Sequence, residues 1–195
     1  MIDPANITRF DCNDRYLEEV AFFFIAAAGK NGTFAAKVVN DAIFNPATGL
    51  NILPSKFIRF FNDRSVEIIL RYHGLGCYRS KSKAMKDLAY LIRTKLINLR
   101  TCSTKELEVI KGIGPKTSRG IIMHTRRGAR CACLDRHILS FLREQGIDAP
   151  KNTPSSLRLY IKLEHAFLEI CDKLKKEPAE LDLEIWNDRK TKSHD

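Results

Sequence analysis

The 195-residue chain carries 33 lysines and arginines against 23 aspartates and glutamates, a formal net charge of +10. Hydrophobic residues make up 44% of it, enough to bury a core, which excludes a disordered polymer. The length allows one compact unit or two small lobes sharing an interface, and the positive balance favours a polyanion, nucleic acid before membrane. Charge alone fits a merely soluble basic protein equally well.

In chain order, the first strong element is the apolar run 20–28, VAFFFIAAA. It is too short to cross a bilayer and no targeting segment is visible, so it reads as a buried helix. Asn13 or Asp14 would cap it and Gly29 would stop it. The turn Gly29-Lys30-Asn31-Gly32 leads into a helix over 33–44, followed by a loop at Asn45-Pro46-Ala47-Thr48-Gly49. Pro54 begins another helix, whose Phe57, Ile58, Phe60 and Phe61 suit a core better than a stacking platform. A helix over 65–71 follows, and then a long one over 82–97 with Met85, Leu88, Ala89 and Ile92 on one side. Arg79, Lys81 and Lys83 ahead of that stripe fit either a DNA approach or a solvated face.

Ser103 and Glu106 have capping-box spacing, so a helix begins at Thr104 with Leu107 and Ile110 as its apolar face. Gly112-Ile113-Gly114 breaks it, because two glycines permit positive φ and close backbone approach. Pro115 suits the first turn of the next helix, which carries Ile121 and Ile122 until Arg126, Arg127 and Gly128 end it. Such a turn leaves amide N–H groups open at a helix N-terminus, where a phosphate binds well. Arg126, Arg127 and Arg130 fit phosphate contact or plain loop solubility. Asp135 stands where a further helix starts, as an N-cap, and Gly146 ends that helix.

A polar connector over 148–154 leads to a helix capped by Ser155 or Ser156 and running to about 176. Its stripe is Leu159, Ile161, Leu163, Phe167, Ile170 and Leu174, with His165 beside it as a structural histidine. Pro178 opens the last helix, where Asp182 and Trp186, four apart, share a face. The six cysteines show no CxxC pair and no zinc pattern, which suits a reducing compartment and structural thiols.

Two stretches are specific in combination. Ile110-Lys111-Gly112-Ile113-Gly114-Pro115-Lys116-Thr117, followed by Cys133-Leu134-Asp135-Arg136-His137, resembles the helix-hairpin-helix DNA glycosylases, the superfamily of endonuclease III and the 8-oxoguanine glycosylases. A glycine hairpin alone is shared with polymerases and ligases. A hairpin with a lysine and an Asp-x-His whose aspartate lies 19 positions beyond that lysine is far more telling.

The resemblance implies an all-α fold of two helical lobes with a DNA cleft between them. Residues 1–30 and 150–195 would form one lobe, and 31–149 the other, with the helix-hairpin-helix at about 104–127. It implies Lys116 as the nucleophile that forms a Schiff base at the sugar C1′, and Asp135 as the carboxylate that stabilises positive charge there. Strand breakage by β-elimination would follow. Lys111, Gly112, Ile113, Gly114, Thr117, Arg126, Arg127, Arg130 and His137 are expected on the DNA. Asn31 would be a wedge in the gap left by an extruded base, or else an ordinary turn asparagine. Asp182 and Trp186 resemble the pair that touches the flipped base in archaeal and related bacterial 8-oxoguanine glycosylases. Their plain alternative is a helix anchor.

The expected partner is damaged double-stranded DNA, met by a monomer inside the cell where the DNA lies, with no membrane and no cofactor. Endonuclease III relatives often close with four cysteines around an iron–sulfur cluster. Only Cys171 lies in the C-terminal part, so no iron–sulfur cluster is expected. The activity implied is excision of 8-oxoguanine with cleavage of the resulting abasic site. Removal of oxidised pyrimidines is the alternative within the superfamily, and a non-catalytic DNA-binding module the alternative outside it.

Overall fold

The computed structural model describes residues 1–44, 52–60 and 63–191. All regular structure among them is helical: α1 (Asp14–Ala27), α2 (Gly32–Val39), α3 (Pro54–Phe60), α4 (Asp63–Tyr72), α5 (Tyr78–Arg93), α6 (Thr104–Glu108), α7 (Pro115–Met123), α8 (Arg136–Glu144), α9 (Leu157–Leu174) and α10 (Pro178–Thr191). The second half of the expected 33–44 helix is a wider π-helical turn over Asn40–Phe44. The loop at 45–49 and Phe61 lie outside the described residues.

Helix α1 is the axis of the larger core. Val20, Ala21, Phe22 and Ala26 are fully buried, as expected of a helix apolar on almost every side. Asn13 caps it, accepting from Tyr16 N. Its two buried acids are both engaged: Glu18 accepts from Ser55 N and Oγ at 2.8 and 2.9 Å, and Glu19 pairs with Arg15 at 2.8 Å. Around α1 pack α2, α3, α5 and α7. A second apolar cluster joins Ala132 and Leu134 to α8, α9 and α10. Ala179 and Leu183 of α10 also pack against the larger cluster, so α10 touches both. Helix α1 belongs with α2 to α7, and α8 belongs with the C-terminal helices.

Three helical faces differ from expectation. Helix α5 starts at Tyr78, four residues early, because Cys77 takes a left-handed conformation (φ 44°) that turns the chain straight into the helix. Lys81 then falls in the first turn and points inward. Its Nζ donates to Ala26 O and Leu75 O, both at 2.7 Å, and burial lowers its pKa to about 8. This buried lysine holds the end of α1 and is turned away from the solvent that a DNA approach would require. In α3, Ile58 is buried but Phe60 is 76% exposed. In α9, Leu163 and Phe167 are buried while Leu159, Ile161 and Leu174 face outward, since Tyr160 and Cys171 take the inner face instead. The Tyr160 hydroxyl fixes that rotation through its bonds to the main chain at Ala132 and Leu134.

No helix among the described residues is long and apolar enough to cross a membrane.

Candidate active site

The capping box forms as the spacing requires: Ser103 N donates to Glu106 Oε2 at 2.7 Å, and Glu106 N to Ser103 Oγ at 3.2 Å. Ile110 and Ile113 are buried and pin the hairpin to the core. Between them Gly112 has φ +105°, and a Cβ there would come within 3.1 Å of both Ser80 O and Ala84 Cβ on α5. Only glycine meets both demands. Gly114 then caps α7 without any side-chain bond, and Pro115 takes the first helical position. The next amides, those of Lys116 and Thr117, are thus available to an anion at this helix end. The Thr117 side chain is buried, so only its main chain could serve that role, whereas Lys111 is exposed.

Lys116, second in α7, reaches a cavity of about 840 Å³ that Asp135 also lines. Asp135 caps α8, and its Oδ1 accepts both bonds, from His137 N at 2.7 Å and Ile138 N at 3.0 Å. Capping through one oxygen fixes the carboxylate plane and leaves Oδ2 for a ligand.

A buried brace sets the relation of these two residues. Arg119, one turn beyond Lys116, donates from Nε to Glu164 Oε1 at 2.7 Å and from Nη1 to Glu108 Oε1 at 2.8 Å. Glu164 Oε1 also accepts from Ala132 N at 2.9 Å, and the Arg119 guanidinium lies 4.8 Å over the Tyr160 ring. Tyr160 donates to Ala132 O at 2.8 Å and accepts from Leu134 N at 3.1 Å. The segment feeding Asp135 is thereby tied to α7 and to α9 at once.

Asp182 and Trp186 of α10 line the same cavity. Asp182 Oδ2 lies 3.3 Å from His124 Nε2, and His124 Nδ1 lies 2.8 Å from Thr8 Oγ1. Burial pushes the Asp182 pKa up, and the His124 contact opposes that shift. The His124 ring is stacked on Phe24, centroids 5.6 Å apart, and Phe24 is itself part of the cavity wall. Trp186 lies beside the start of α2, near Gly32. His137 also lines the cavity; burial lowers its pKa, and Asp135 works against that.

The other expected residues lie elsewhere or are already engaged. Arg126 donates to Cys102 O and Leu99 O at 2.6 and 2.7 Å, so it staples the chain ahead of α6. Arg127 sits 4.9 Å over Phe10, and Arg130 makes a two-pronged pair with Asp172 at 2.6 and 2.7 Å. None of the three lines the cavity. Each of the three guanidinium groups meets an acceptor or ring within the protein. Asn31 is at the cavity rim but caps α2, accepting from Phe34 N at 3.1 Å.

Sequence reading missed His124, Phe24 and the Arg119–Glu164 pair. Tyr160 and Glu164, four apart on one helix, carried the only available signal, because a tyrosine and a glutamate on an inner face require buried partners. Among the described residues no three His, Cys, Asp or Glu side chains gather where a metal could be held.

A glycine hairpin delivering a lysine into a cavity edged by a capping aspartate, within an all-helical fold, defines a helix-hairpin-helix DNA glycosylase. Residues 9–176 match the family model for 8-oxoguanine DNA glycosylase, and the chain belongs to that family. The fold is shared with the 8-oxoguanine glycosylase/lyase of Methanocaldococcus jannaschii solved with 15mer DNA containing 8-oxoguanine. That likeness has a TM-score of 0.70 and 21% identity, and covers 93% of this chain and 84% of that one. It is shared equally with the Thermotoga maritima 8-oxoguanine DNA glycosylase, at a TM-score of 0.70 and 17% identity, covering 94% and 85%. Endonuclease III of Buchnera aphidicola is 30% identical over 89 residues, 46% of this chain. That match spans only 42% of the endonuclease's length.

Proposed function

We propose that this chain excises 8-oxoguanine from duplex DNA and cleaves the resulting abasic site. The observation that carries the reading is the cavity that Lys116 and Asp135 share with Asp182 and Trp186. A base inside duplex DNA is out of reach, so the nucleotide must turn out into such a pocket. The hairpin amides grip phosphate and position the strand without reading it. Trp186 offers a stacking face and Asp182 an acceptor for the base N–H groups.

As the C1′–N9 bond breaks, its electron pair leaves with the base and positive character grows at C1′, where the Asp135 carboxylate stabilises it. Lys116, in its neutral form, attacks C1′ and loses a proton, and opening of the sugar ring gives the imine. The imine acidifies the C2′ proton; its removal expels the 3′ phosphate and breaks the strand. Such an enzyme works where the DNA is, inside the cell.

The partial likeness to endonuclease III favours a second reading, removal of oxidised pyrimidines. A panel of duplexes, each with one lesion, separates the two. Cleavage at 8-oxoguanine is expected, and cleavage at thymine glycol alone would replace the first reading by the second.

A further inference from the structure

His124 has no part in the chemistry above, yet it is buried against the cavity and touches the residue proposed to read the base. Thr8 Oγ1 is 2.8 Å from Nδ1 and 3.4 Å from Ala179 O, so its proton can serve the ring or the carbonyl, and an ionised Asp182 selects the ring form that accepts at Nδ1. A ring accepting at Nδ1 carries its proton on Nε2, 3.3 Å from Asp182 Oδ2. Phe24 holds the ring in plane from one side, stacked at 15°. Three segments far apart in sequence thus fix one carboxylate: the N-terminal segment through Thr8, the C-cap of α7 through His124, and α10 through Asp182 itself.

We propose that His124 is a positioning residue for base selection, which keeps Asp182 an ionised, acceptor-only group with one oxygen turned to the cavity. The inference rests on the substrate reading above and adds the device behind it. A carboxylate can accept from the N7–H that 8-oxoguanine carries. It is repelled by the bare N7 lone pair of guanine. A protonated Asp182 would donate to that lone pair and lose the distinction.

The groups facing Asp182 are His124 at the C-cap of α7, Asp135 and His137 at the start of α8, Cys133 from the connecting segment and Cys171 from α9. Burial favours the neutral acid and the His124 N–H favours the anion, so removing that donor leaves burial less opposed. The ionised form, present above the Asp182 pKa and lost below it, would then disappear at higher pH.

The experiment uses the full chain and two variants. His124→Phe keeps a ring for Phe24 and loses the donor; His124→Gln loses the ring and keeps an N–H. Two quantities are followed: the Asp182 carboxyl carbon by NMR titration, and 8-oxoguanine excision under single turnover across pH. In His124→Phe the titration and the acid limb of excision should both move to higher pH. Excision at neutral pH should fall roughly tenfold, as expected when a buried hydrogen-bonding group loses its partner. His124→Gln should recover part of both. An unmoved Asp182 titration in His124→Phe overturns the proposal, and so does loss in both variants that merely tracks thermal stability. Wild type that leaves 8-oxoguanine uncut would sink the substrate reading alone, since the titration needs no substrate.

Discussion

The ring of Phe24 occupies the space that any side chain at Gly120 would need. A Cβ built on Gly120 would fall 2.4 Å from Phe24 Cε1 and 2.7 Å from Cδ1. Phe24 in turn backs His124 and forms cavity wall, so a glycine inside α7 sets the shape of a pocket it does not line. Gly120→Ala should cost about 1–3 kcal/mol, the usual penalty of overpacking, read as a lower midpoint in thermal unfolding. Adding Phe24→Leu should recover part of that loss, because the clashing ring carbons are gone. A midpoint that stays at the wild-type value in Gly120→Ala would show that the ring moves aside freely.

Borohydride added during turnover should fix the protein covalently to damaged DNA through Lys116. The trapped species is an amine, formed when hydride reduces the imine. Wild type that fails to cross-link, or Lys116→Ala that cross-links undiminished, would remove the Schiff-base step.

Asp135→Asn separates charge from capping. Asparagine caps a helix about as well as aspartate, so thermal stability should change little. Excision should nevertheless fall on the order of 10²-fold or more if the carboxylate stabilises charge at C1′. A rate that drops only in proportion to stability would leave Asp135 as a cap.

For base recognition, Trp186→Ala should lose a stacking contact worth roughly 1–3 kcal/mol. Asp182→Asn should weaken recognition as well, because the amide presents donors where only acceptors stood. Excision of 8-oxoguanine and strand cleavage at a pre-formed abasic site, measured side by side on folded protein, distinguish reading the base from supporting the fold. Loss confined mainly to excision supports recognition. Equal loss of both would mean that the pair maintains the fold.

The elements legible in the sequence were those with local causes. The capping box at Ser103, the break at Gly112 and the aspartate cap at Asp135 each follow from neighbours within a few residues. Asp182 and Trp186 share a face simply because they are four apart on one helix. The start of α5 was not legible, since it hangs on a left-handed Cys77, a conformation no residue type there announces. Nor was the fate of Arg126, Arg127 and Arg130, whose acceptors and rings lie 24 to 117 positions away in the chain. His124 looked like a helix end. Its meaning depends on Thr8 and Asp182, which only the folded chain brings to the same ring.

The brace of Arg119, Glu164 and Tyr160 makes the two groups proposed for the chemistry a single moving part. Lys116 rides on the helix that Arg119 belongs to, and Asp135 on the segment that Glu164 and Tyr160 hold. Any shift of the hairpin should carry lysine and aspartate together, their spacing set by buried bonds. Grip and chemistry are therefore expected to vary independently: a change at exposed Lys111 should alter how firmly a strand is held, while the spacing of Lys116 and Asp135 is set by bonds in the protein's interior.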